Sequence, residues 1–69
     1  MKLSARNVLK GRVTAITPGA VNVEVVIEIA PGVQVVSIIT KSSAESLGLA
    51  VGKEAYAVVK ASSVMVAVD

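Results

Sequence analysis

Apolar and polar positions alternate along much of this chain with a period of two. Val21-Asn22-Val23-Glu24-Val25-Val26-Ile27-Glu28-Ile29 keeps its odd positions apolar. Asn22, Glu24 and Glu28 take the other face, with Val26 as the exception. That is the pattern of a half-buried β-strand. Val8 to Ile16 reads as a weaker strand upstream, with Gly11 as a bulge or a point of close backbone approach. Pro18-Gly19 marks the turn between the two, and Pro31-Gly32 repeats the signal. Val33 to Ile39 is apolar on both faces apart from Gln34 and Ser37. Such a strand is expected to be central or to be covered by a neighbouring subunit.

The period then changes. Thr40-Lys41-Ser42-Ser43-Ala44-Glu45-Ser46-Leu47-Gly48-Leu49 predicts a short helix. Ser42 and Glu45 have capping-box spacing, and Gly48 suits the residue just past a helix end. After a turn at Val51-Gly52-Lys53, Glu54 to Lys60 and Val64 to Val68 read as two closing strands, separated by Ala61-Ser62-Ser63. The expected fold is all-β: a five-stranded OB-like Greek-key barrel with one short helix between strands 3 and 4. No repeat or linker divides it, so residues 1–69 are expected to form a single domain.

Composition sharpens this picture. The chain has 69 residues, 54% of them hydrophobic and only 1% aromatic. A domain of about 60 residues hides only about 60% of its unfolded surface. Small domains therefore lean on disulfides, metals or oligomerisation. With no Cys and no His, the first two are closed, as are thiol and imidazole catalysis. Surplus apolar surface is expected to be buried in a homo-oligomer. Charged and turn residues break every apolar run short of a membrane helix, so no membrane partner is expected. No apolar run follows Met1 to Asn7, which predicts no signal peptide and a cytoplasmic location.

Three polar islands interrupt the strands: Ser4-Ala5-Arg6-Asn7, Thr40-Lys41-Ser42-Ser43 and Lys60-Ala61-Ser62-Ser63. Each joins a cation to hydroxyls or an amide, and none contains a carboxylate. Lys, Arg, Ser, Thr and backbone N–H can all donate hydrogen bonds, so such islands suit an anion. The plainer alternative is that these segments are turns and caps, with Arg6, Lys41 and Lys60 as solvated charges. An enzyme is not expected. Ser62 and Lys60 could form a nucleophile–base pair, but nothing supplies a third group or an evident oxyanion hole. A nucleic-acid-binding OB module is the stronger rival, permitted by the pI of about 9.3. The net charge of only +2 and the single aromatic, Tyr56, weigh against it.

Leu3-Ser4-Ala5-Arg6-Asn7 followed by Gly11 resembles the opening of the Mop, or molbindin, domains. Thr40 to Leu49 and Val59-Lys60-Ala61-Ser62 resemble their later motifs, so the likeness spans essentially the whole chain. It is similar to the small stand-alone clostridial type, once described as molybdopterin-binding. The resemblance implies an OB-like fold and a hexamer built as a trimer of dimers. It implies binding of molybdate and tungstate at subunit interfaces, for intracellular molybdenum storage and homeostasis, with no further cofactor, no cationic metal site and no nucleic acid. By motif, Ser4, Ala5, Arg6 and Asn7 come from one subunit. Thr40, Ser43 and Lys60 come from its neighbour, with Lys41, Ser42, Ala61 and Ser62 close by. Gly19 and Ala20 are implied to line a second type of site. Ser63 departs from the pattern, which carries a bulkier residue there.

Overall fold

A computed structural model describes residues 1–69. Four strands form one antiparallel sheet: β1 (Asn7–Pro18), β2 (Asn22–Ala30), β3 (Val33–Thr40) and β4 (Glu54–Val59). A helix, α1 (Lys41–Leu47), follows β3, and a single 3-10 turn (Ala61–Ser63) follows β4. The strand order is β3-β2-β1-β4.

The 12-residue β1 organises the sheet. Its first half, Asn7 to Arg12, pairs with β4, and its second half, Arg12 to Pro18, pairs with β2. One strand serving two partners in succession curls the sheet towards a barrel. Two features let it do so. Thr14 is an extra residue in the ladder, between Val13 opposite Ile27 and Ala15 opposite Val26, and this bulge sharpens the bend. Gly11 lies where β1 passes β2: a Cβ there would collide with the carbonyl oxygen of Glu28 and come within 2.8 Å of Ile27 Cγ2. Gly11 is thus the close-approach residue, and the bulge is at Thr14.

The alternation of β2 is realised as read. Val23, Val25 and Ile27 point inward and, with Val13 and Ala57, make up the buried core. Ile16, Ile29, Val35, Ile39, Ala44 and Leu49 pack around it, half-buried. Only those five residues are buried, and the chain exposes 5282 Å². A monomer of 7.0 kDa ordinarily exposes about 4,000 Å².

Three expectations are corrected. The sheet has four strands, because Val64–Val68 pairs with nothing in its own chain. The Ser63 N–H donates to Lys60 O (2.8 Å) and the Val64 N–H to Ala61 O (3.3 Å). This turn carries the chain off the edge of β4 before a fifth ladder can begin. Second, of the two alternatives expected for β3, central or covered by a neighbouring subunit, the first is overturned: β3 is an edge strand. Its outward side chains Val36 and Ile38 are each 60% exposed. Third, the helix begins at Lys41, one residue after β3 ends, so Ser42 lies inside it and Thr40 is the cap.

The far end of α1 follows the sequence closely. Gly48 is left-handed (φ 62°), its N–H donating to Glu45 O (3.0 Å), while the Leu49 N–H donates to Ala44 O (3.2 Å). That is the paired 5→2 and 6→1 closure of a Schellman motif. Lys53 Nζ donates to the Gly48 carbonyl (2.9 Å), a cation at the negative end of the helix.

Candidate oxyanion site

The pairing of Asn7 with Val59 closes the β1–β4 ladder at one end of the molecule. The segments flanking that pair must therefore run side by side. Ser4, Ala5 and Arg6 meet Lys60, Ala61 and Ser62 across a cleft of about 390 Å³. The first and third polar islands, 54 positions apart from Arg6 to Lys60, become one surface feature. No carboxylate lines it.

The donors of this cleft are uncommitted. Arg6 and Lys60 make no side-chain hydrogen bond or ion pair within the chain. The Ala5, Ala61 and Ser62 N–H groups donate to no backbone carbonyl. A planar guanidinium fork and an ammonium face the same space, beside two serine hydroxyls. This set can satisfy the lone pairs of a tetrahedral oxyanion and neutralise two negative charges. Ser4, Arg6, Lys60 and Ser62 are exposed, so one chain encloses only part of such an ion. Asn7, half-buried at the start of β1 and paired with Val59, does not line the cleft itself.

The second island lies at the other end of β1. Thr40 pairs with Asn22, and Pro18 pairs with Val23 beside it. Here the hydroxyls are engaged with one another. Thr40 Oγ1 accepts the Ser43 N–H (3.1 Å) and donates to Ser43 Oγ (2.8 Å), and it lies 3.2 Å from Ser42 Oγ. The Lys41 N–H donates to Val21 O (3.1 Å), tying the strand–helix junction to the β1–β2 turn. That turn holds Gly19 and Ala20. The Gly19 N–H donates to Asn22 O (2.7 Å), and a Cβ on Gly19 would come within 3.0 Å of the same oxygen. Gly19 and Ala20 thus neighbour the Thr40 island, remote from Arg6. Within one chain, Lys60 joins Arg6, while Thr40, Lys41, Ser42 and Ser43 form a separate cluster. Thr40 as the helix cap was the feature missed in the sequence. Its signal was a Thr at the last strand position, three residues before Ser43.

No group of three or more acidic, His or Cys side chains could hold a cation. No helix is long and apolar enough to cross a membrane.

The chain is thus a small, curled OB-like β-module that carries a carboxylate-free cleft lined by two cations. Residues 3–66 match the TOBE domain. The chain is 51% identical over 69 residues to the "Probable molybdenum-pterin-binding protein" of Haemophilus influenzae, with all of both chains covered. Among solved structures it is similar to MopII from Clostridium pasteurianum, with a TM-score of 0.90 and 48% identity over 97% of this chain and 100% of that one. It is also similar to a molybdate-binding protein from Sporomusa ovata, with a TM-score of 0.89 and 36% identity over 97% and 98% of the two chains. The chain belongs to the TOBE-domain family, in its Mop, or molbindin, group.

Proposed function

We propose that this protein binds molybdate, and tungstate with it, and holds the ion for intracellular molybdenum storage and homeostasis. The observation that carries the reading is the cleft in which the unpaired Arg6 and Lys60 meet the hydroxyls of Ser4 and Ser62 without any carboxylate. Molybdate at neutral pH is a tetrahedral dianion with no proton to give. Its site should offer donors alone. Hydrogen phosphate carries a proton and gains from a carboxylate acceptor, which this cleft lacks. The names of these relatives, which speak of binding, support the same ion and a role without catalysis.

The ligand set comprises Ser4, Ala5, Arg6 and Asn7, with Lys60, Ala61 and Ser62, and at the other end Thr40, Lys41, Ser42 and Ser43. Gly19 and Ala20 belong to a second type of site. Because each cluster is open on one side, a neighbouring copy completes it, in a hexamer arranged as a trimer of dimers. The half-exposed apolar side chains of β3 and β4 supply the surface for such docking. A ligand that bridges copies stabilises the assembly by mass action. The reading places the protein in the cytoplasm as a single Mop domain.

Calorimetric titration with molybdate, tungstate and phosphate in turn tests this. Saturable binding of the first two and none of phosphate is expected. Phosphate binding as tight as molybdate would remove the donor-only argument.

A further inference from the structure

β1 and β4 pair from Arg12 and Glu54 to Asn7 and Val59, and there the ladder stops. Continued by one step, the register sets Arg6 opposite Lys60. A second step sets Ala5 opposite Ala61, and a third sets Ser4 opposite Ser62. These are the six residues that line the anion cleft. The cleft is the stretch over which the ladder does not continue, with cation against cation, alanine against alanine and serine against serine.

Bond parity identifies the missing rung. The Val13 N–H donates to Lys53 O (2.9 Å), and the Val13 carbonyl accepts the Gly52 N–H (2.8 Å). Hydrogen-bonded and non-hydrogen-bonded positions alternate along an antiparallel pair. Odd-numbered residues of β1 therefore bond across to β4, and the next such pair beyond Asn7 and Val59 is Ala5 with Ala61. That rung is not made. The Ala5 and Ala61 N–H groups donate to no backbone carbonyl, and the Ala61 carbonyl accepts the Val64 N–H (3.3 Å). Arg6 and Lys60 fall on the intervening position, where opposed Cα atoms of a closed pair come to about 4.5 Å and side chains are nearest. Like charges directly opposite one another destabilise a sheet. Elsewhere on this ladder cations are matched with acids: Arg12 stands opposite Glu54, and Lys10 Nζ lies 3.5 Å from Glu54 Oε1. Arg6 and Lys60 have no such partner in the chain.

We propose that Arg6 and Lys60 also act as a wedge: their mutual repulsion keeps the β1–β4 ladder from closing over Ala5 and Ala61, and so holds those N–H groups, with that of Ser62, open to an oxyanion. The 3-10 turn assists by drawing off the Ala61 carbonyl, through the longest of the backbone bonds made outside helices and strands (3.3 Å). An anion between the two banks neutralises both cations and takes the N–H groups in place of the missing rung. The two residues are thus positioning residues for the backbone donors as well as donors themselves. The purpose of the wedge rests on the anion-binding function proposed above, and its existence is tested without any oxyanion.

Closure brings the α-protons of an opposed non-hydrogen-bonded pair face to face. It is therefore read by NMR, in chloride buffer, as a nuclear Overhauser contact between residues 6 and 60, with protection of the Ala5 and Ala61 amides from hydrogen exchange. The unsubstituted chain should lack the contact. Lys60→Glu sets an acid against Arg6, and should produce the contact and slow exchange of the two amides about fivefold. Arg6→Glu should do the same from the other bank, which keeps the test open if one variant folds poorly by circular dichroism. Arg6→Glu combined with Lys60→Glu restores like charges of the other sign. It should lose the contact again, although no cation is left to bind an anion. Lys60→Arg should match the unsubstituted chain. A contact already present in the unsubstituted chain would overturn the proposal. So would both single reversals leaving the ladder open, which assigns the missing rung to the turn alone, or a double reversal that stays closed. Failure of the unsubstituted chain to bind molybdate in calorimetry would instead remove the anion reading and leave the charge dependence of the ladder standing.

Discussion

At the Asn7 end of β1, Arg6 and Lys60 share a cleft and bond to nothing in the chain. At the Pro18 end, Thr40, Ser42 and Ser43 spend their hydroxyls on one another and on the first turn of α1. The two clusters have almost the same composition: one or two cations, hydroxyls and small residues. What separates them is commitment. The Asn7 end keeps its donors free, so its residues add little to the stability of the fold and are available to a ligand. The Thr40 end holds up a helix. A ligand there must work with donors left over from that task, chiefly the Ser43 O–H and the Lys41 ammonium.

This contrast sets the order of expected effects. Substituting both Arg6 and Lys60 by Ala should have the largest effect, reducing molybdate affinity beyond the range of a calorimetric titration. The melting temperature should change little, because neither side chain holds the fold. Arg6→Ala alone removes one charged donor set. Hydrogen bonds to charged groups contribute about 1.5–3 kcal/mol, so a loss of about tenfold to a hundredfold in Kd is expected. Unchanged affinity would take Arg6 out of the site.

The Thr40 end should respond in the opposite sense. Thr40→Val keeps the shape and deletes the cap, which should lower stability by about 1 kcal/mol in urea unfolding. Thr40→Ser should restore most of it. If Thr40→Val instead leaves stability untouched, the division between a structural end and a ligand end fails. A comparable effect is expected at the far end of the same helix. Gly48→Ala places a Cβ on a left-handed residue near Lys53 Nζ (3.2 Å). A further loss of about 1 kcal/mol, read as a lower melting temperature with molybdate affinity preserved, is expected.

Much of this arrangement is legible from residue order. The odd positions of β2 announce the core because a half-buried strand alternates with period two. Gly48 and Gly11 announce a left-handed helix end and a close crossing because other residues are strained there. The polar islands stand out because they break apolar strands. What the residues do not reveal is which islands meet. Arg6 and Lys60 are brought together by the register of β1 on β4, a long-range property with no local signature. The Thr40 cap was hidden by the stronger-looking Ser42–Glu45 spacing. Two apolar faces on β3 do not distinguish a central strand from one covered by a neighbouring subunit; β3 is an edge, and its second apolar face belongs to surface the monomer leaves uncovered. Val64–Val68 has every local mark of a strand, and its local marks are silent on the sheet to which it belongs.

The most direct test of the carboxylate-free cleft is native mass spectrometry of the protein with and without molybdate, beside the variant in which Arg6 and Lys60 are both replaced by Ala. Six-chain particles carrying bound molybdate, with the variant assembled but holding fewer ions, are predicted. Assembled variant particles that carry the same number of ions would contradict the account.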